Sequence, residues 1–153
     1  MVNPARTVVV DASVAVKWHL LDEDYVAESA RLLTEFARGE TELIAPAHIN
    51  YEVASSVTVA TTGRSPRLSL EQGRDAINEF LALGIRTVPD PELVMSAYEL
   101  AHRHGCAFYD ALYLALAEQL QLDLVVADHR LYQRVGQLPG VIWIGDYTNP
   151  PAL

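Results

Sequence analysis

Residues 7–11 read Thr-Val-Val-Val-Asp, and residues 124–128 read Leu-Val-Val-Ala-Asp. Each is a short apolar run, rich in valine, that ends at an aspartate, which is typical of a buried strand. Because the parallel strands of an open sheet bring their carboxyl ends to one edge, Asp11 and Asp128 are expected to emerge there together. An aspartate after a strand can also cap the next helix, so each residue taken alone favours a cap and a ligand site equally.

Outward from these two strands, predicted helices and strands alternate along the chain. Further strands are predicted at residues 42–45, 85–88 and 141–144, and helices at residues 12–20, 24–38, 46–62, 69–84, 90–105 and 108–120, with a short helix after Asp128. This alternation predicts an α/β fold with three layers, α/β/α, around a central, mostly parallel sheet of about five strands. Residues 1–148 are interpreted as one domain and residues 149–153 as a flexible tail.

Three of the predicted helices carry a signal for their first turn. Pro46 is predicted to begin a helix, because proline is favoured at the first helical position. Asp90 followed by Pro91 predicts a capped helix start of the same kind. Ser69 with Gln72 three residues later matches a capping box, in which each side chain binds a backbone N–H of the other residue.

The chain of 153 residues is strongly acidic, with 20 Asp and Glu against 11 Lys and Arg and a formal net charge of −9. This balance argues against a protein that binds nucleic acid through a broadly basic surface, but not against an enzyme that acts on it locally. Most acids, including Glu35, fall on the polar faces of predicted helices. The arginines at positions 64, 67 and 74 suit either phosphate contacts or a solvated basic loop.

Two further acids lie in less polar surroundings. Asp110 stands in the first turn of a predicted helix that is apolar on nearly every face, which indicates burial. Burying an unpaired carboxylate costs several kcal/mol, and the helix N-terminus offsets only about 0.3–1 kcal/mol of that. A cation would remove the cost; the alternative is a first-turn acid held by the helix dipole. Glu52 lies inside its predicted helix near His48, Ser55 and Ser56. These neighbours are small or modestly polar, so a ligand could approach the carboxylate. The alternative is that Glu52 is a partly exposed helix glutamate.

Clustered carboxylates predict a divalent cation. Two unit charges about 4 Å apart repel by about 4 kcal/mol at an effective dielectric constant near 20. Mg²⁺ and Mn²⁺ prefer oxygen ligands and remove this repulsion. Such an ion lowers the pKa of bound water and stabilises charge on a phosphoryl group, which fits phosphodiester hydrolysis. The chain has no Walker loop, dinucleotide-binding glycine motif or Gly-x-Ser-x-Gly elbow, and its five histidines are interpreted as surface or structural residues.

Four segments together resemble the PIN domain family and, within it, the VapC-like ribonuclease toxins of prokaryotic toxin–antitoxin pairs. They are residues 8–18 (VVVDASVAVKW), 51–54 (YEVA), 108–117 (FYDALYLALA) and 124–131 (LVVADHRL). Each segment is a weak signal alone, but all four stand in the order of the family and span nearly the whole chain.

The resemblance implies a Mg²⁺- or Mn²⁺-dependent endoribonuclease that forms a homodimer and is neutralised by a small cognate antitoxin. It places Asp11, Glu52, Asp110 and Asp128 in the acidic set, with Ser13 as a supporting hydrogen-bonding residue. Asp11 and Asp110 are the direct metal ligands by this comparison, whereas Glu52 and Asp128 bind directly, through water, or position the attacking water. Many relatives carry Thr or Ser where this chain has Val126, which leaves the role of Asp128 open.

Two alternatives to the ribonuclease stay open at this point. One is a PIN-like module that binds protein or RNA with little catalysis, and the other is a different Mg²⁺-dependent phosphohydrolase. The sequence has neither a signal-peptide pattern nor an apolar run near the roughly 18 residues that span a bilayer. We therefore expect a cytoplasmic protein with no membrane partner.

Overall fold

The computed structural model describes residues 6–147. Its elements are β1 Arg6–Val10, α1 Ala12–Ala15, a 3-10 turn Val16–Trp18, α2 Val26–Ala37, β2 Thr41–Pro46, α3 Ile49–Thr61, α4 Leu70–Ala82, β3 Arg86–Val88, a 3-10 turn Asp90–Glu92, α5 Val94–His104, α6 Phe108–Leu120, β4 Asp123–Val126, α7 His129–Val135, β5 Val141–Trp143 and a 3-10 turn Ile144–Asp146. The predicted tail at residues 149–153 lies outside the described residues, and the domain limits of 1–148 stay a prediction.

The five strands form one parallel sheet in the order β3-β2-β1-β4-β5. Helices cover the sheet in a three-layer α/β/α arrangement, so the predicted fold class is confirmed. The chain builds the sheet outward from β1, first through β2 to β3 and later through β4 to β5. The strand order therefore reverses beside β1, and ligands of open α/β sheets bind at the carboxyl ends of the strands flanking such a point.

The core lies on the central strands and α6. Val8, Val9 and Val10 of β1 have no exposed surface, and residues 111–117 of α6 are buried without interruption. This helix contacts β1, β2 and β4, which explains why its sequence is apolar on nearly every face. No helix within residues 6–147 has both the length and the apolarity needed to cross a membrane.

The helix predicted for residues 12–20 is shorter than expected. The α-helix ends at Ala15, and the chain tightens into a 3-10 turn over Val16–Trp18. The indole N–H of Trp18 donates to the carbonyl oxygen of Ser29 at 2.8 Å, which ties this turn to α2. Tertiary packing therefore overrides the helical pattern of the sequence here.

Two of the three predicted helix starts are wrong, and the third is confirmed. Pro46 is the last residue of β2, where it pairs with Val88, and α3 begins three residues later. Asp90 opens only a 3-10 turn, and its side chain accepts the backbone N–H of His48 instead of capping α5. Ser69 and Gln72 form the predicted capping box at the start of α4.

Glu35 does not lie on an exposed polar face, as its helical pattern predicted. Its side chain is 2 % exposed and accepts hydrogen bonds from the hydroxyls of Thr41 and Tyr147. Tyr147 lies 112 residues later in the chain, so the helical pattern of α2 contains no sign that this residue would cover the carboxylate. The buried acid links α2 to β2 and to the end of the described chain.

Replacing Tyr147 with phenylalanine is expected to lower the free energy of unfolding by about 1–3 kcal/mol, because the buried Glu35 carboxylate loses a donor. Urea denaturation measures the change. Tyr98→Phe is the matched control, since Tyr98 is 55 % exposed and its change should stay within about 0.5 kcal/mol. Equal effects of the two substitutions would contradict a stabilising role for the buried hydrogen bond.

Candidate active site

Asp11 and Asp128 follow the two central strands β1 and β4, at the carboxyl edge of the sheet. The backbone N–H of Asp11 donates to the carbonyl oxygen of Val125 at 3.0 Å, which holds the two strand ends together. Ser13 adds a second link: its hydroxyl donates to Oδ2 of Asp11 and accepts the N–H of Ala127 at 2.9 Å. The two aspartates that the sequence predicted to share an edge therefore emerge side by side in the sheet.

Each of these aspartates also caps a helix. Oδ2 of Asp11 accepts the backbone N–H of Ser13 at the start of α1, and Oδ1 of Asp128 accepts that of Leu131 at the start of α7. The cap uses only one oxygen of each carboxylate. Oδ1 of Asp11 is buried and accepts no hydrogen bond from the described residues. The sequence offered a cap and a ligand site as alternatives, and the geometry is compatible with both at once.

Asp110 and Glu52 lie in the same electrostatic neighbourhood as the strand-end aspartates. Burial raises the pKa of Asp110 to about 6, with further increases from the charges of Glu52 and Asp128. Burial likewise raises the pKa of Asp11 to about 7, and the charges of Asp110 and Glu52 add to it. The charge of Asp110 is thus felt by Asp11, and the charges of Glu52 and Asp128 by Asp110, although the four residues come from the ends of β1 and β4 and from the helices α3 and α6.

His48 is a fifth residue of this site, and the sequence reasoning did not assign it there. The residue is 5 % exposed, with Nε2 in contact with Oε1 of Glu52 and Nδ1 3.6 Å from Oδ1 of Asp90. Its ring packs against Tyr109 and Tyr113, with centroids 5.7 and 4.9 Å apart. Burial alone would lower the pKa of His48, but the two carboxylates raise it above its ordinary value.

The signal for His48 was its position four residues before Glu52, which places both side chains on one face of a helix. Its burial could not be read from that spacing, because Asp90 and Tyr109 come from distant parts of the chain. Tyr113 also stands beside the site: burial, and then the charges of Asp11 and Glu52, raise the pKa of its phenol above the usual range. His48 and Tyr113 therefore pack beside the Glu52 carboxylate.

A family model described as the PIN domain matches residues 8–137. The chain belongs to the PIN domain family. A relative named Ribonuclease VapC12, from Mycobacterium tuberculosis, is 36 % identical to this PIN domain over 129 residues, which cover 84 % of the chain and 92 % of the relative. The four segments that carry the sequence resemblance all fall within residues 8–137, and residues 1–7 and 138–153 lie outside this match.

Solved structures share the architecture of this PIN domain. PAE2754 from Pyrobaculum aerophilum superimposes with a TM-score of 0.64 at 22 % identity, covering 92 % of this chain and 85 % of that protein. VapC20 from Mycobacterium tuberculosis, described as a toxin that cleaves the sarcin–ricin loop, gives a TM-score of 0.63 at 17 % identity, covering 82 % and 93 %. At these identities the two likenesses establish the fold.

The donors of this PIN domain fit a hard divalent cation bound in an open site. Carboxylate oxygens are the ligands that Mg²⁺ and Mn²⁺ prefer, and Oδ1 of Asp11 is a buried oxygen without another partner in the described residues. Within residues 6–147, no group of three or more His, Cys, Asp or Glu side chains is arranged so that it could hold a metal ion. Mg²⁺ typically takes one or two carboxylates and keeps several waters, so a complete protein cage is not required.

Without a cation, the raised pKa of Asp11 predicts a pH-dependent stability of the PIN domain. The folded protein holds a proton on Asp11 up to about pH 7, whereas the unfolded chain loses it near 3.8. The Asp11 contribution to stability is therefore present at low pH and is lost as the pH rises from about 4 to 7, by at most about 4 kcal/mol.

Urea denaturation at pH 5 and pH 8 in chelator should show this loss in the wild type. Asp11→Asn is the reference, because an amide carries no titrating proton and the difference between the two proteins isolates residue 11. A wild type that gains stability over this interval relative to Asp11→Asn would contradict the unfavourable burial of the charge.

Proposed function

We propose that this PIN domain is a divalent-metal-dependent endoribonuclease that hydrolyses RNA phosphodiester bonds. The observation that supports the proposal is the coupling of acidic side chains beside the switch point of the sheet, where burial and the charges of Glu52, Asp110 and Asp128 raise the pKa of Asp11 or of Asp110. Such an arrangement opposes folding unless a cation is bound, so it needs a functional reason. The relative VapC12, 36 % identical over most of both chains, carries the name of a ribonuclease.

Asp11 and Asp110 are proposed as the direct ligands of Mg²⁺ or Mn²⁺, because their charges are the ones that burial penalises. When bound, the ion supplies a water of lowered pKa and a positive charge beside the phosphoryl oxygens. Ser13 holds Oδ2 of Asp11 and so leaves Oδ1 to face the ion. The chain's contribution is a set of oxygens fixed before the substrate arrives.

Glu52 and Asp128 are proposed to bind the ion through water or to position the attacking water. His48 touches one oxygen of Glu52, and the Asp90 carboxylate lies against the other ring nitrogen of the histidine. This chain of contacts orients the Glu52 side chain and leaves its second oxygen available. Asp128 uses Oδ1 as a helix cap and is exposed, so its Oδ2 can meet water at the mouth of the site.

We also propose that the protein acts as the toxin of a toxin–antitoxin pair, forms a homodimer and is neutralised by a small antitoxin. The family relationship and the name of the relative VapC12 support this role. Inducing the gene should arrest growth, and coexpression of a small reading frame beside it should restore growth. Unimpaired growth on induction of the active protein would contradict the toxin role.

The test of the catalytic proposal is incubation of the purified protein with a single-stranded RNA in Mg²⁺ or Mn²⁺, with the new ends mapped. We expect cleavage within the RNA strand and none of a DNA strand of the same sequence. RNA that stays intact while it binds the protein would favour the binding-module alternative. Cleavage of phosphate monoesters but not of RNA would favour a different phosphohydrolase.

A further inference from the structure

A cavity of about 550 Å³ opens beside the acidic site, between the turn that joins α5 to α6 and the helix α7. Asp110 and Asp128 form part of its wall. Arg130 and Arg134 line it as well, one helical turn apart on α7. The cavity therefore joins two of the site carboxylates to two cations in a protein whose net charge is −9.

Neither of these arginines is neutralised by a residue of the described chain. Within residues 6–147, no carboxylate lies within 4.0 Å of Arg130 or Arg134, and neither contributes to the raised pKa of Asp110. Some arginines elsewhere on the surface do have acidic partners, such as Arg67, which contacts Asp22 and Glu23, whereas others, such as Arg31, have none within the described chain. Arg67, one of the three arginines that suited phosphate contacts in the sequence, is thus engaged in ion pairs.

The direction of Arg134 adds to this picture. Its Nη1 atom lies 3.8 Å from the point where a side chain on Gly105 would begin. The guanidinium therefore reaches from α7 across to the turn after α5, on the opposite wall of the cavity. The Arg134 guanidinium therefore lines the cavity and is exposed, so that a ligand can reach it.

We propose that Arg130 and Arg134 bind backbone phosphates of single-stranded RNA next to the phosphate that is cut. The inference rests on the proposed ribonuclease function and assigns the entry path of the strand to the α7 side of the site. A guanidinium matches a phosphate with two parallel hydrogen bonds, which a neighbouring carboxylate would otherwise compete for. The local pair also explains how so acidic a protein holds a polyanion: the attraction is confined to the cavity.

The test compares the double variant Arg130→Gln/Arg134→Gln with Arg31→Gln/Arg38→Gln. The control removes the same charge from α2 and its C-terminal end, where Arg31 has no ion pair within the described chain and the exposed Arg38 contacts only Glu40, at 4.0 Å. For the cavity variant we expect the KM for RNA cleavage to rise about tenfold, with kcat within about twofold of the wild type. The negative slope of log affinity against log salt, measured with RNA and the metal-free protein, should become shallower by about 1.4. Each phosphate contact on a single strand contributes about 0.7 to the size of this slope.

A lysine pair at positions 130 and 134 provides a rescue experiment. Arg130→Lys/Arg134→Lys should restore most of the salt dependence of RNA binding, but its KM should stay above the wild-type value. Lysine restores the positive charge without the bidentate geometry of arginine. An unchanged KM and salt slope in the glutamine variant, or a loss confined to kcat, would overturn this inference while wild-type cleavage stands. A wild type that cleaves no RNA would overturn the proposed function and this inference with it.

Discussion

Asp110→Asn is expected to lower the rate of RNA cleavage by about a thousandfold or more. The substitution keeps the size of the side chain but removes the charge that would bind the cation at the head of α6. A thousandfold loss corresponds to about 4 kcal/mol in the activation barrier, within the range of several kcal/mol that a bound ion supplies. Single-turnover cleavage of a labelled RNA by both proteins measures the ratio.

The same variant should be at least as stable as the wild type in chelator. Burial and the charges of Glu52 and Asp128 raise the pKa of Asp110 to about 6, so the native site disfavours its charge. Glu118→Gln is the matched control, since it makes the corresponding change on an exposed position of the same helix and should keep full activity. Undiminished cleavage by Asp110→Asn would show that Asp110 does not act in the proposed site. An Asp110→Asn protein that fails to fold would contradict the claim that the charge of Asp110 opposes folding.

Removing divalent cations is expected to reduce cleavage to the level of RNA incubated without protein. The four carboxylates can orient water and hold the substrate, but none of them supplies the positive charge that phosphodiester hydrolysis requires. Adding EDTA to the wild type and then an excess of Mg²⁺ or Mn²⁺ should abolish and restore the activity. The assay follows the full-length RNA over time.

Sodium chloride at matched ionic strength is the control for the added salt, because it screens charge without binding the site. Sodium chloride should not restore RNA cleavage after EDTA. Circular dichroism before and after EDTA shows whether the fold persists without the ion. Cleavage that continues at the same rate in EDTA would contradict the metal requirement, and it would point to catalysis by the protein side chains alone.

The architecture followed from the sequence because its signals are local. The valine run of β1 and the apolar residues of α6 each show by their own composition that they are buried on all sides. The alternation of helices and strands then left few arrangements other than a parallel sheet. Asp11 and Asp128 could be placed at one edge because that edge is a property of the sheet, independent of any side-chain contact.

What the sequence did not reveal depends on contacts between distant residues. Glu35 is covered by Tyr147, and His48 is held by Asp90, whose sequence context predicts a helix cap. Each of these pairs joins parts of the chain that share no helical or strand periodicity. That Arg130 has no ion pair among residues 6–147 could not be predicted either, since a sequence shows charges but not which of them are neutralised.

The convergence of the acidic side chains on one ion can be tested directly by X-ray diffraction from crystals soaked in Mn²⁺. The anomalous difference map should show a peak about 2.1 Å from carboxylate oxygens of Asp11 and Asp110, with Glu52 and Asp128 nearby. The peak should be absent from crystals of Asp110→Asn treated in the same way. A map with no peak between these residues, or with Mn²⁺ bound only elsewhere on the surface, would contradict the central claim.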